Sequence, residues 1–520
     1  MAKKKNENTL KYLQVPLPKG RKYSKMTKVA FGGLNKRNTI DSGELSMARD
    51  ISTKDYPYLT PSTKRTWFSS KDFYKPISMF AFDNFVVVVY RDTDAKAIKI
   101  AYIDEEEKVY TSTLKSGATK EDDVPRSIVQ FNAYKEGETG TIIDGTFTKR
   151  LLIFPDKKSM YFDISEDTKT SDENYTFELY DMDDSNNNIV TPPIKYATVH
   201  LSRVFGVDDN CVYASKFNDY TNWVFDSPDY DEGYSESNAW MSQTQSNTKA
   251  DGNFTGIINY QGHVVCFKRD YMHEIYNTKN PFRIVDVYAE GTIDNRSIQD
   301  VDGKLIFVSD DDVKIYTGSN PRIIGHNLNM SQYRYAVSGT DNRNYYLYCE
   351  DAKGEGHLYV YDTYTELWSE QSVDGTVISF AHNNNGMYML VEHDLVARVY
   401  KMDTYEYSDD WCFETDLITN RTVDIKHIKK LQMLVEADAY ASITVYILYD
   451  YESFDGITDE EKAKRLVYKS VASNKPRRFP IRVKPRKTAN YGFKLHIEGS
   501  GYVKLYELEM FVESGGDLYV

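Results

Sequence analysis

Chemistry on a protein needs nucleophiles, acids, bases or metal ligands held at set spacings, and this chain offers few such sets. Its nine histidines include no HxH or HxxxH pair, spacings that can aim two imidazoles at one metal. The four cysteines, Cys211, Cys266, Cys349 and Cys412, are scattered, and no two stand at metal or redox spacing. No GxGxxG or GxxxxGKS/T stretch is present to cradle a phosphate. The densest carboxylate cluster is Asp310-Asp311-Asp312, just after Ser309 in a predicted turn. It could bind a calcium ion through its oxygens, or stand as a solvated hairpin end. Asp181 to Asn188 crowds Asp and Asn together without the ligand rhythm of a calcium-binding hand. No nucleophile and base, and no pair of carboxylates, can be nominated from spacing. The chain is therefore expected not to be an enzyme, with no catalytic, cofactor-binding or metal-binding residues. A site assembled from distant loops would leave no local motif.

Charge narrows the partners. Asp and Glu number 78 against 64 Lys and Arg, a net charge of −14. Duplex affinity comes largely from neutralising phosphates, so so acidic a body is not expected to grip DNA. It would instead repel DNA that only has to slide past. Basic residues gather at the N-terminus, where Lys3, Lys4, Lys5, Lys11, Arg21 and Lys22 stand with Lys19, Lys25 and Lys28 against Glu7. The stretch Val15-Pro16-Leu17-Pro18-Lys19-Gly20 bars helix and central strand, which predicts an extended arm. Such an arm is either a solubilising tail or a docking arm for a neighbouring subunit or an acidic or nucleic-acid surface. A second basic stretch, Lys462 to Lys487, is interleaved only by Tyr468 and Phe479. A nucleic-acid platform needs cations and aromatics together, so this reads as a solvated or subunit-contact face. The N-terminus lacks the apolar core of a signal peptide. The longest apolar run, Phe85 to Tyr90, is far short of a membrane span, and no membrane insertion is expected. Scattered cysteines fit synthesis in a reducing cytoplasm.

The elements that would position any site are strands. The chain carries 43 Tyr, 24 Phe and 5 Trp in 520 residues, a composition suited to half-buried pleated surfaces and to protein contacts. From about Trp67 to Tyr405 one pattern repeats: an apolar run, a polar turn, a second run, a turn, and a Tyr-rich third run. Clear copies are Ile77–Phe82 with Phe85–Tyr90 and Ile98–Asp104, and Gly256–Tyr260 with His263–Phe267 and Met272–Tyr276. Two more are Ser297–Val301 with Lys304–Val308 and Val313–Tyr316, and Thr376–Phe380 with Met387–Val391 and Ala397–Tyr400. Weaker copies begin near Ser127, Tyr196 and Tyr333. Gly-containing pairs such as Asp302-Gly303 between apolar runs are the strongest short-range hairpin signal. Hairpins recurring every few tens of residues point to propeller blades, about seven in all. The inserts Ser165–Asn188 and Ser227–Asn253 would be loops on a face.

Near Asp409 the repeat stops. Apolar residues then fall at every second position, as in Leu431, Met433, Val435 and in Ile443, Val445, Ile447, although Leu434 blurs the first set. One face buried and one wet is the mark of an antiparallel sandwich. Asp459 to Lys464 reads as a loop or a single helical turn. The expected organisation is an all-β chain: an extended basic arm and lead-in at 1–60, a β-propeller at 61–408, and a β-sandwich at 409–520.

Four stretches carry a resemblance. They are Gly33-Leu34-Asn35 through Asp55-Tyr56-Pro57-Tyr58-Leu59; Arg203-Val204-Phe205-Gly206 through Phe217-Asn218-Asp219-Tyr220-Thr221-Asn222-Trp223; Gly256-Ile257-Ile258 through Val265-Cys266-Phe267-Lys268; and Gly499-Ser500-Gly501 with its following strand. Only the second is specific in its composition. Together they resemble the β-propeller tail proteins of bacteriophages, of the packaged-DNA stabilisation or tail nozzle type. The resemblance implies a structural virion protein, made and assembled in the bacterial cytoplasm. It implies a homo-oligomeric ring, typically hexameric, that meets portal, adaptor and other tail proteins, surrounds the DNA exit path and helps hold or release the genome. It carries over no catalytic residues and no cofactors. The long acidic inserts and the basic arm depart from it. Two other readings stand beside it: a receptor-binding or baseplate protein that grips a host-surface glycan, and a propeller glycoside hydrolase.

Overall fold

The computed structural model describes residues 23–28, 31–38, 40–41, 43–92, 96–116, 125–136, 142–162, 177–183, 189–225, 235–242, 252–288, 290–402, 404–419, 426–438, 440–450, 452–454, 456–471, 477–481 and 491–514. They form an all-β propeller joined to a sandwich, with one short helix, Asp459–Arg465, capped by Thr458 where a loop or single turn was expected.

The apolar runs that read as strands are strands, and their composition follows from their neighbours. Phe85–Arg91 is the second strand of the first blade, between Pro76–Phe82 and Ala97–Ile103, with Val109–Ser116 outermost. Its alternate side chains face opposite ways and both faces are covered. Val87 and Val89 pack on Leu151 and Ile153 of the second blade, while Val86 and Val88 pack on Tyr388, Leu390 and Val399 of the last. A strand buried on both faces needs no polar alternation. Each fully buried Val contributes about 1.5–3 kcal/mol. His263–Lys268 repeats the arrangement. Val264 and Cys266 face Phe205 and Val212 of the third blade, and Val265 and Phe267 face Leu305 and Phe307 of the fifth.

The second blade runs from Ser127 to Asp181, the third from Tyr196 to Met241, the fourth from Phe254 to Tyr288 and the fifth from Gln299 to Ile323, each of four antiparallel strands. A closing blade is made of Thr376–Asn383, Gly386–His393 and Val396–Lys401. Its outer edge is supplied from the N-terminal side by Thr66–Trp67 and Phe73–Tyr74, with Tyr400 opposite Trp67 and Val396 opposite Tyr74. The ring is thus shut by main-chain pairing between segments far apart in sequence.

Six sheets stand as separate blades, not about seven. The copy beginning near Tyr333 fills the remaining sector, since its strand Tyr335–Thr340 contacts both Gln299–Val301 and Thr376–Asn383. Its sheet does not end at a blade edge. Tyr335–Thr340, Asn344–Glu350, Gly356–Asp362 and Leu367–Gln371 continue through Leu45–Arg49 into Trp411–Thr415, Phe493–Ser500, Ser442–Tyr449 and Leu466–Val471, nine strands in all. An open edge invites pairing, and here Leu45–Arg49 occupies it. Arg49 lies parallel to Glu370, and the Asp50 N–H donates to the Glu370 carbonyl at 2.8 Å.

The far half of this junction sheet is one layer of the sandwich. The other layer orders as Tyr23–Lys28, Val503–Ser514, Lys426–Ala437 and Arg477–Ile481. Leu431, Met433 and Val435 point inward against Ile443, Val445, Leu495 and Ile497, as alternation predicts, and Leu434 lies on the outer side. The segment expected as an extended lead-in is therefore built into both layers. Phe31, Leu34, Leu45 and Ala48 are all buried in the same core as Trp368, Trp411 and Phe413. That buried apolar surface is what holds the segment down.

Candidate functional site

The innermost strands of the propeller carry its polar side chains inward, and most of them close seams. Ser78 Oγ donates to the Pro125 carbonyl at 2.9 Å, between the first and second blades. Ser127 Oγ accepts from the Ala197 N–H at 3.0 Å, between the second and third. Asn259 Nδ2 donates to Val199 O at 3.1 Å, and Asn295 Oδ1 accepts from the Ile257 N–H at 3.0 Å. Ser338 Oγ donates to Arg296 O at 2.8 Å, the Tyr335 hydroxyl to Val377 O at 3.1 Å, and Ser379 Oγ to Met79 O at 3.0 Å. At least one such bond crosses each seam around the ring. Glycine lets the junction sector approach the closing blade, because a Cβ on Gly339 would stand 2.3 Å from Phe380 Cβ.

Between these strands lies an axial cavity of about 250 Å³. Phe80, Phe82, Phe380 and Ile298 wall it, and Arg126, Asn295, Arg296, Gln299 and His382 bring polar atoms to it. Arg296 is held by Asp294 at 2.7 Å and stacks on Tyr335 at 4.8 Å. Burial opposes ionisation of the Tyr335 phenol and pushes it up to about 12. Duplex DNA, whose major groove alone is about 12 Å wide, cannot thread so small a space.

The residues singled out by sequence fall elsewhere. Asp310, Asp311 and Asp312 sit in the turn before Val313–Tyr316, each committed to the protein. Arg269 clamps Asp310 with two bonds of 2.7 and 2.6 Å, Lys314 pairs with Asp311 at 3.1 Å, and Asp312 accepts from the Val313 N–H. Protein cations and N–H groups thus take the places a calcium ion would use. Cys266 and Cys349 are buried small core residues, and burial raises both thiols. Asp181 ends the short strand Tyr180–Asp181 and pairs with Lys158. Lys3, Lys4, Lys5, Lys11, Arg21 and Lys22 lie outside the described residues, as do most of the two acidic inserts and residues 472–476 and 482–487 of the second basic stretch.

Two groupings lie outside the residues singled out by sequence. Asp351, Glu355 and His357 converge at the turn between Asn344–Glu350 and Gly356–Asp362, one ligand atom from each within 4.8 Å of the others. His357 Nδ1 stands 3.0 Å from Glu370, and Asp351 is occupied in capping the turn through the Lys353 and Glu355 N–H groups. In the junction sheet, Glu414 is buried beside Lys494 at 2.9 Å and Ser46 at 3.0 Å, with His496 Nδ1 at 3.6 Å. The far side of His496 faces Glu498 at 3.8 Å, and Phe454 stacks on its ring at 3.6 Å. Burial disfavours the imidazolium, but the carboxylates of Glu414 and Glu498 outweigh it and raise His496 above its ordinary value. These residues meet only because four distant segments share one sheet.

Among the described residues no helix is long and apolar enough to cross a membrane. No family model matches the chain, and no curated protein matches it. Among solved structures, a chain in the "Crystal Structure of Mitotic Checkpoint Complex" aligns with 65% of this chain and 95% of its own length, at 8% identity and a TM-score of 0.34. A likeness that slight carries no argument about function.

Proposed function

We propose that the chain is a structural subunit of a bacteriophage tail, of the nozzle type, and acts by building a wall around the DNA exit path rather than by catalysis. The observation that carries this reading is the junction sheet, which runs without a break from a propeller sector into the sandwich. Main-chain pairing of Arg49 with Glu370, the Asp50 and Leu34 N–H bonds to Glu370 and Trp368, and a shared apolar core join the two units, as a wall subunit requires. The axial cavity is too small for DNA, so the path lies between copies arranged in a ring, with portal, adaptor and other tail proteins above and below. The net charge of −14 suits a surface past which DNA slides. Tyr364, Tyr405 and Tyr440, 65%, 104% and 96% exposed, supply ring-to-ring contact chemistry.

A second reading, recognition of a host-surface glycan, draws on one feature. On the sandwich's outer face Tyr502 pairs with Tyr407 at 4.7 Å and Tyr506 with Tyr58 at 4.8 Å, with Lys504 between them. Electron microscopy of intact particles labelled with antibody against this chain separates the readings. Label on the tail axis just below the head is expected. Label on peripheral fibres or the distal tip would replace the nozzle with the receptor-binding reading, and unlabelled particles would overturn both.

A further inference from the structure

We propose that the axial cavity binds a small molecule bearing one carboxylate, with the Arg126 guanidinium as its anchor. Two arginines line the cavity, and they differ in what they already hold. Arg296 is paired with Asp294 through Nε and Nη2 and covered by Tyr335. Arg126 immediately precedes the innermost strand of the second blade, and among the described residues no carboxylate pairs with it. Among the described residues, the Arg126 guanidinium is a cation beside the cavity whose neighbour is the Tyr196 phenol rather than a carboxylate.

The surroundings suit an anion with an apolar or sugar body. The Tyr196 phenol oxygen accepts from Arg126, which leaves its O–H to donate. Asn295 commits its oxygen to the Ile257 N–H, which leaves its Nδ2 as a donor toward the cavity. Phe80 and Phe380 offer ring surface to cover the rest of a ligand. The seam bonds hold these walls in place before anything binds, so little ordering opposes binding. One guanidinium presents a planar fork that matches one carboxylate. A doubly charged phosphate would keep a second charge uncompensated between aromatic walls. A concave, mostly apolar space with few convergent polar groups is the usual form of a small-ligand site. The site is separate from ring assembly, so titration tests it and particle labelling tests the nozzle.

The test is calorimetric titration of the full chain at low salt with glucuronate and benzoate, alongside their methyl esters and inorganic phosphate. Saturable binding of at least one carboxylate is expected, with its ester at least tenfold weaker and phosphate weaker than the acid. Arg126→Gln is expected to weaken that binding about 10–100-fold, the range of a lost charge-assisted hydrogen bond. Arg398→Gln, on the third strand of the closing blade and paired with Asp72, is expected to leave it unchanged. No binding of either acid, equal binding of acid and ester, or unchanged binding in Arg126→Gln would each overturn the proposal. The ester comparison uses the unaltered protein and decides the matter even if Arg126→Gln fails to fold.

Discussion

The propeller seams and the junction sheet solve the same problem differently. Around the ring, neighbouring blades meet face to face through side chains: interleaved Val, Ile and Phe, and at least one side chain to main chain bond at each crossing. At the junction, neighbouring units share a single sheet, and the main chain itself runs the contact. A seam is a set of independent small terms. The junction is cooperative, because breaking one strand opens the ladders on both of its sides. The same contrast explains the chemistry. The seam-closing bonds of the innermost strands come from neutral serines, amides and a phenol, whereas the junction buries Glu414, Lys494 and His496 together.

The sharpest way to break the comparison is Phe413→Ala. Phe413 is 2% exposed and meets Phe31 and Trp411 in the shared core. The loss is expected to be about 3–5 kcal/mol, measured by denaturant unfolding. Tryptophan fluorescence and far-UV circular dichroism should shift together, and a propeller that keeps its own midpoint while the sandwich melts would deny that the two units are joined. Next in size is Ser379→Ala at the seam of the closing and first blades. Leaving the Met79 carbonyl without this donor is expected to cost about 1–3 kcal/mol, with a sandwich-specific probe shifting by the same amount as the propeller. The smallest effect distinguishes the regions by pH. The raised His496 adds stability that is fully present below its unfolded value, near 6.5, and is lost as pH rises through its higher folded value. The slope cannot exceed about 1.4 kcal/mol per pH unit for one proton. A stability profile measured from pH 6 to 9 should fall in the normal protein and flatten in His496→Gln.

The seams were far more legible in sequence than the junction. Asp302-Gly303 and Gln261-Gly262 both take positive φ, 52° with 74° and 46° with 83°, the conformation that makes such pairs readable as hairpin turns. Leu201-Ser202 and Asp394-Leu395 take the same conformation without glycine, and only the alternation beside them marks the hairpin. The continuous apolar runs told that strands were covered on both sides, and the alternation at Leu431–Val435 told of a one-sided layer. Leu45–Arg49 told nothing, because five residues with two buried apolar side chains are unremarkable until their partners are known, and those lie at Leu367–Gln371 and Trp411–Thr415. The axial cavity was invisible for a related reason. Arg126, Asn295 and His382 belong to different sectors, and only ring closure brings them to one space. The Asp310–Asp312 turn left a calcium site and a hairpin end both open in sequence, since its neutralising partners Arg269 and Lys314 are not both adjacent in sequence.

The pairing of Lys28 with Leu508 sets a clock on synthesis. At about 5–20 residues per second, the ribosome needs on the order of half a minute to a minute and a half to make the chain between them. For all that time the first strand has no partner, and Thr66–Trp67 waits almost as long for the last blade. Several blades can form while both gaps stay open, so the nascent chain passes through an open, C-shaped stage that displays bare strand edges. In a crowded assembly site the first matching edge to arrive can belong to another copy, and exchange of the leading strand between neighbours would then be decided during translation rather than after it.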